Sequence, residues 1–319
     1  MGKYILKRLL LMIPVVVGVA IVIFTIMYFV PGDPAALILG SSATETQIAD
    51  LSKTLGLDQP YAVRLVTYLR DVFLRFDFGS SYFTRIPVTT ELMARFPRTL
   101  AIAGICIFLS VVIGVSLGIN AAVHQDGLAD RFSMFVALFG VSIPSFWLAL
   151  LLVIAFALRL RWFPAQGIGS LSHYILPCIA NSFGGIAMQA RQSRSAMLEV
   201  IRSDYITTAR AKGLSERAVI LRHALPNALI PVITVAGLNF GTLLGGTLII
   251  ETVFSIPGVG YYMISAVNNR DYLVVQGCVI FLAIVFSLVM LLTDIAYSYI
   301  DPNIRAQYEG TKKRKIIHA

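Results

Sequence analysis

The sequence predicts an all-α membrane protein of six transmembrane helices, with one large extracytoplasmic loop after the first helix. Three observations carry that expectation. Hydrophobic residues make up 57% of the 319-residue chain and charged residues only 13%, where a soluble domain carries roughly 25% charged. The apolar residues gather into separate runs long enough to cross a hydrocarbon core of roughly 30 Å. The cations, which leave a net charge of +9, lie in the loops beside those runs. That asymmetry orients a chain in a lipid bilayer and speaks against nucleic acid as the partner.

The first run, residues 9–30, follows Lys3, Lys7 and Arg8. It is longer than a signal-peptide h-region and lacks a small-x-small cleavage site, so it reads as a retained helix. Residues 31–98 form a polar segment of mixed charge. An amphipathic helix is expected over 61–76, with Leu65, Leu69, Val72 and Phe76 on one side, and Phe73, Phe76, Phe78, Tyr82 and Phe83 form an interface-type aromatic cluster. A segment of this length largely escapes the positive-inside rule, so its basic residues do not prevent an outside location. It reads as a shelf for an extracytoplasmic partner or as a flap over the transmembrane domain.

Further spans are expected at 99–123, 132–158, 174–190, 227–250 and 272–298. The second carries Ser110, Gly114 and Gly118, and the fifth Gly237, Gly241 and Gly245. Small residues at every fourth position let helix backbones approach closely in lipid, so both rows read as packing seams. Six spans return both ends to one side. The tail Lys312, Lys313, Arg314 and Lys315 is basic like the N-terminus, which puts both termini in the cytoplasm. The chain thus divides into a first helix (1–30), an extracytoplasmic loop (31–98), a five-helix core (99–298) and a basic tail (299–319).

Within that core, residues 191–226 form a basic island between apolar runs. Arg191, Arg194, Arg202, Arg210, Lys212, Arg217 and Arg222 face only Glu199, Asp204 and Glu216. Each cation would cost roughly 2.5–3.5 kcal/mol at mid-bilayer, about 20 kcal/mol in all, so the island lies in water on the cytoplasmic side. Two short helices are expected in it. Leu198, Ile201, Tyr205 and Ala209 share one face of the first, and Gly213 stops it. Ser215 is placed to cap the second, with Leu214 and Val219 spaced as a hydrophobic staple, and Pro226 and Pro231 mark the return to the bilayer. The second helix has no clean polar and apolar halves. It reads as a helix touched on several sides by protein, or as an ordinary loop.

No phosphate-cradling Gly-x-x-x-x-Gly-Lys-Ser/Thr occurs, so ATP is not expected to bind this chain. Neither His-Glu-x-x-His nor Cys-x-x-Cys is present, and Cys106, Cys178 and Cys278 are widely spaced within or beside apolar runs. No catalytic, cofactor-binding or metal-ligating residue is expected. The polar candidates for a pathway are Asn239 in mid-helix, Glu251 at the outer edge of the fifth span and Asp294 near the inner end of the sixth. For Asn239 the alternative is interhelical packing, and for Asp294 a solvated or interface-paired carboxylate.

The basic island resembles the cytoplasmic "EAA" loop of bacterial ABC-importer permeases. The pattern falls on Thr207-Thr208-Ala209, Gly213, His223, Leu225 and Pro226; the Glu-Ala-Ala survives as its final Ala, and His223 stands where an apolar residue is usual. Val30-Pro31-Gly32-Asp33-Pro34 is similar to the N-terminal part of peptide and nickel permeases. Ser142-Ile143-Pro144-Ser145-Phe146-Trp147, Trp162-Phe163-Pro164-Ala165, Glu251 to Gly260, Arg270-Asp271-Tyr272 and Asp301-Pro302-Asn303-Ile304-Arg305 follow in family order. The resemblance implies a type I ABC-importer permease of the bacterial cytoplasmic (inner) membrane, with peptides as cargo, or alternatively nickel or a metal chelate. It also implies a second homologous permease as heterodimer partner, two ATP-binding cassette subunits that hold ATP and Mg, and an extracytoplasmic solute-binding protein. ATPase coupling would fall to Ala209, Ala211, Lys212, Gly213, Leu214, Ser215, Arg217, Arg222, His223 and Leu225. A stand-alone channel or an intramembrane enzyme is the rival from another class; pore-lining polar repeats or facing catalytic groups would mark it, and neither is evident.

Overall fold

The computed structural model describes residues 2–40 and 42–300, and among these the fold is helical, with a single isolated bridge between Ser80 and Pro87. Helix α1 (Gly2–Phe29) is the first span. Three short helices follow on the polar segment: α2 (Pro34–Leu39), α3 (Glu45–Thr54) and α4 (Tyr61–Leu74). Asp33 accepts a hydrogen bond from the Ala35 N–H at the start of α2, and Thr44 and Gln47 form a capping box on α3. The amphipathic pattern of α4 is used: Val72 is buried, and Leu69 and Phe73 pack on the cluster that joins α1, α4 and the last helix. Phe76 departs from the expectation, since it lies beyond α4 at φ +54 and is exposed. Of the aromatic group, Phe78 packs inward and Tyr82 is buried, whereas Phe83 is exposed.

Helix α5 (Val88–Val123) begins well before the expected second span, because the sequence from Val88 onward is already helical and Pro97 is accommodated within it. The third span is not one helix. It consists of α6 (Leu128–Ser142) and α7 (Ser145–Leu152), the latter continued by a π-helical stretch (Val153–Arg159), with a bend of 100° between the two halves. Pro144 explains the break. A residue before proline is pushed out of the α region, and Ile143 sits at φ −89, ψ 122.

Helix α8 (Ser172–Ile201) is central: it packs on α5, on α6 and on the long helix that follows the basic island. The seam with α5 is as close as the small-residue row requires. A Cβ on Gly114 would lie 2.6 Å from both the Ile186 carbonyl oxygen and Gln189 Cβ, and one on Gly118 would meet the Ala190 carbonyl and Ser193. After the island comes the long helix α11 (Leu225–Val253), then α12 (Val259–Asn268) and α13 (Tyr272–Ile300). Gly237 abuts Thr293 of α13, and a Cβ on Gly241 would lie 2.6 Å from the Phe286 ring; Gly245 faces open space. Two of the three glycines in that row therefore form the seam.

Among the described residues, four helices are long and apolar enough to cross a membrane, and the bent α6–α7 pair makes a fifth crossing if it is one span. Helix α8 has the length but falls short in hydropathy. Its inward side carries buried Asn181, Ser182, Gln189 and Ser193, and its last turns carry Arg191 and Arg194. The basic tail and the motif at 301–305 lie outside the described residues.

Candidate functional site: an exposed basic hairpin and two polar latches

The basic island folds as a hairpin. The expected face over Leu198, Ile201, Tyr205 and Ala209 is split, because α8 ends at Ile201 and a new helix, α9 (Asp204–Ala211), starts after Ser203, which occupies the N-cap with extended backbone. Tyr205 is consequently exposed, and Ile206 and Ala209 are the buried pair. They pack with Val219, Ile220 and Ala224 of the returning arm and with Met197 of α8. Between the arms Gly213 sits at φ +77, the left-handed conformation expected of a helix-stopping glycine. Arg210 closes the turn on Glu216 with two hydrogen bonds, Nε to Oε2 at 3.1 Å and Nη2 to Oε1 at 2.7 Å. This bonding raises the Arg210 pKa above its ordinary value, so the guanidinium stays charged at any physiological pH.

The returning arm differs from a separate second helix. It begins as α10 (Glu216–Ala218), widens into a π-helical stretch (Val219–Ala224) and runs directly into α11. Pro226 follows the π-helical stretch at the start of α11, where its ring supplies no N–H to continue the ladder. The Asn227 side chain donates to the His223 carbonyl at 3.0 Å, satisfying one acceptor the altered ladder releases. Ser215 stands at the N-cap of α10 through its backbone, without a side-chain bond. Of the staple residues, Val219 is buried while Leu214 remains exposed. Ala211, Lys212, Gly213, Leu214, Ser215 and Arg217 thus form an exposed apex, with Arg222 exposed along the arm and His223 and Leu225 half-buried at its base.

Two polar latches brace the helices around this hairpin and at the opposite end of the bundle. Asp130, buried near the start of α6, receives Arg194 Nε at 2.6 Å and Nη2 at 2.7 Å, and also the Asp126 N–H at 2.9 Å. This two-pronged pair ties α6 to the end of α8 that leads into the hairpin. At the far end, Glu251 is fully buried. Thr99 of α5 donates its hydroxyl to Glu251 Oε1 at 2.6 Å, and the Tyr261 N–H donates to Oε2 at 3.0 Å. The Val259 N–H in turn donates to Thr99 Oγ1 at 2.9 Å. One carboxylate and one hydroxyl therefore hold two of the otherwise unpaired N–H groups at the head of α12. Gly258 and Gly260 make room for them: a Cβ on Gly258 would collide with the Glu251 carboxylate, and one on Gly260 would lie 3.0 Å from it.

The remaining pathway candidates lie apart. Asp294 is paired with Arg8 of α1 at 3.1 Å. Asn239 sits in the seam of α5, α8 and α11, where the missing Cβ of Gly185 leaves space for its amide beside Ser110, and its Nδ2 has no bonding partner among the described residues. Sequence reasoning missed Thr99, Asp130, and the pair Ser81 and Asp271. The Ser81 hydroxyl donates to Asp271 at 2.6 Å and the Tyr82 N–H at 3.1 Å, fastening the polar segment to the head of α13. The sequence offers two signals for these, the proximity of Asp130 to a short inter-span loop and the place of Asp271 in Arg270-Asp271-Tyr272.

Among the described residues the architecture is that of a multi-pass helical membrane protein, with one braced, exposed basic hairpin between two long helices. Residues 114–306 match the family described as the binding-protein-dependent transport system inner membrane component, and residues 1–103 match its N-terminal counterpart. The chain belongs to that family and is a multi-pass inner-membrane transport permease, not an enzyme. Among its relatives, the dipeptide transport system permease protein DppB of Alkalihalophilus pseudofirmus is 43% identical over 96% of this chain and 100% of its own length. The glutathione transport system permease protein GsiC of Salmonella typhimurium is 42% identical over 96% of this chain and 99% of its own. By fold, the bundle is similar to a chain of the inward-facing MetNI methionine ABC transporter, with a TM-score of 0.56 at 20% identity, covering 67% of this chain and 97% of that one.

Proposed function

We propose that this chain is one permease subunit of an ATP-driven importer that carries dipeptides or oligopeptides across the cytoplasmic membrane. The cargo reading rests on relatives whose names specify dipeptide, peptide and glutathione transport; none of these names favours nickel. The machine would comprise a second, homologous permease, two ATP-binding cassette subunits that hold ATP and Mg, and an extracytoplasmic solute-binding protein. The chain crosses six times, with α6–α7 as the bent third span and α8 as the fourth. Both termini and the island at 191–226 lie inside, and residues 31–98 lie outside.

The single observation that carries the mechanism is the hairpin's construction. Its apex, Ala211 to Arg217, is exposed and bears no load from the bundle, while its stem is buried against α8 and is continuous with α11. The apex, with Ala209, Arg222, His223 and Leu225 behind it, would lie in a groove on an ATPase subunit. Movement of that subunit on ATP binding passes along the stem into α8 and α11, and the latch between Asp130 and Arg194 carries it to α6. Asn239, half-buried with its amide nitrogen enclosed where α5, α8 and α11 meet, is the pathway candidate that such a movement would expose. Glu251 and Asp294 are engaged by Thr99 and Arg8, and their role is to hold helix ends. Proteoliposomes containing the whole complex test this reading. They should take up a labelled dipeptide only with ATP on the hairpin side and binding protein on the other; uptake without ATP would refute it.

A further inference from the structure

The polar segment and the adjacent ends of α1 and α13 enclose a cleft of two lobes, 480 and 310 Å³, that share Met27, Tyr28, Leu57, Arg64 and Tyr272. The size is that of a small-molecule site, and its walls mix the rings of Phe24, Tyr28, Tyr68 and Tyr272 with polar and charged groups, Lys53 and Arg64 among them. It lies off the helix seams that hold Asn239 and is distinct from the hairpin. The decisive question is which of its polar groups still have hydrogen bonds to make.

The carboxylates are spent or lie in solvent. Asp71 pairs with Arg70 at 3.1 Å and Arg75 at 3.2 Å, Asp77 accepts from the Gly79 N–H at 2.8 Å, Asp33 caps α2, and Asp58 is exposed at the rim. The donors are not spent. Tyr272 is 8% exposed and its hydroxyl has no partner among the described residues; it points to Gly32, where a Cβ would lie 2.9 Å away. The Tyr68 hydroxyl is also buried without a partner. Burial pushes the Tyr68 phenol well above its ordinary value, so it remains a donor. Arg64 stacks on the Tyr28 ring at 5.1 Å and reaches the Leu57 carbonyl at 3.3 Å, with no carboxylate partner among the described residues. A guanidinium and two phenols, without partners among the described residues, line the same cleft, a donor set suited to an oxyanion.

We propose that this cleft binds the phosphate of an anionic phospholipid headgroup. A soluble oxyanion would satisfy the same donors, but the surroundings favour lipid. The face of α1 that leads to the cleft carries Val15, Val22, Ile26 and Phe29, 50–74% exposed and aligned along the helix, a surface for acyl chains that ends beside Tyr28. The lipid would wedge the polar segment against α1 and α13 on the side proposed above as extracytoplasmic. The site does not depend on the cargo reading.

Native mass spectrometry of the complete complex tests this, after purification from nanodiscs holding equal phosphatidylglycerol and phosphatidylcholine. The wild type should retain phosphatidylglycerol preferentially. Arg64→Met, which keeps bulk but removes charge, and Tyr272→Phe, which removes only an unpartnered hydroxyl, should each lower that retention about tenfold, the worth of one charge-assisted hydrogen bond. Tyr272→Phe should leave the melting temperature unchanged in lipid-free detergent, which keeps the test independent of folding. Equal retention of both lipids, or a preference that survives both variants, overturns the site. Stabilisation by glycerol phosphate equal to that by the lipid overturns the lipid as its occupant.

Discussion

Thr99→Val isolates the latch at the head of α12. Valine keeps the volume of threonine, so no cavity opens and the packing of α5 is preserved. What is lost is the hydroxyl, which donates to the fully buried Glu251 at 2.6 Å and accepts from the Val259 N–H at 2.9 Å. A hydrogen bond to a charged group contributes about 1.5–3 kcal/mol, and a buried N–H left unpaired costs about 1–3 kcal/mol. Together they set an expected destabilisation of about 2.5–6 kcal/mol, large for exchanging one hydroxyl for a methyl. Equilibrium unfolding of the purified subunit in mixed micelles, titrated with denaturing detergent, measures it. A double-mutant cycle with Glu251→Gln sharpens the result. Neutral hydrogen bonds are roughly half as strong as charge-assisted ones, so Thr99→Val should cost about 1 kcal/mol less in that background. A Thr99→Val variant within about 0.5 kcal/mol of wild type, the range of an ordinary surface change, refutes the latch.

Three further expectations follow from the same geometry. Gly241→Leu forces a side chain into Phe286 and Met290 and should cost about 1–3 kcal/mol with reduced complex assembly, whereas Gly245→Leu, which faces open space, should assemble normally; membrane levels of the complex read both. Asp130→Asn leaves Arg194 without its two-pronged partner and should destabilise by about 2–4 kcal/mol in the same unfolding assay, with Arg194→Gln added to it restoring part of the loss. Ser80, exposed on the polar segment, should label from outside intact cells when changed to cysteine in a background lacking Cys106, Cys178 and Cys278; labelling only in broken membranes would reverse the topology.

What the sequence disclosed and what it withheld divides by physical range. Apolar runs and four-residue rows of small residues are local patterns, and they located α1, α5, α11, α13 and their seams. Gly213 was legible for the same reason, since a helix stop needs a positive φ that few residues adopt. The break in the third span was present as Ile143-Pro144, but a proline marks a bend without giving its angle. Helix α8 is obscure for a different reason: it is covered by α5, α6 and α11, so its polar residues face protein and dilute its hydropathy. The split at Ser203 was hidden because Leu198 and Ala209 keep helical phase across it. The latches were invisible. Thr99 and Glu251 are 152 residues apart and Asp130 and Arg194 are 64 apart, and nothing local announces either partner.

The claim that the hairpin is the mechanical link rests most directly on Gly213. It sits at φ +77 with nothing within 4 Å of where a Cβ would be, so a side chain there meets no steric obstacle and acts only through the backbone. A β-branched residue in that conformation costs about 1–2 kcal/mol, which the chain relieves by rotating out of it and changing the angle between α9 and α10. Asparagine tolerates the left-handed region and serves as the control. The measurement is ATP hydrolysis by the reconstituted complex, with and without loaded binding protein. Gly213→Val should insert at wild-type levels and lose the stimulation by binding protein, while Gly213→Asn keeps most of it. Full stimulation and full transport in Gly213→Val would contradict the account.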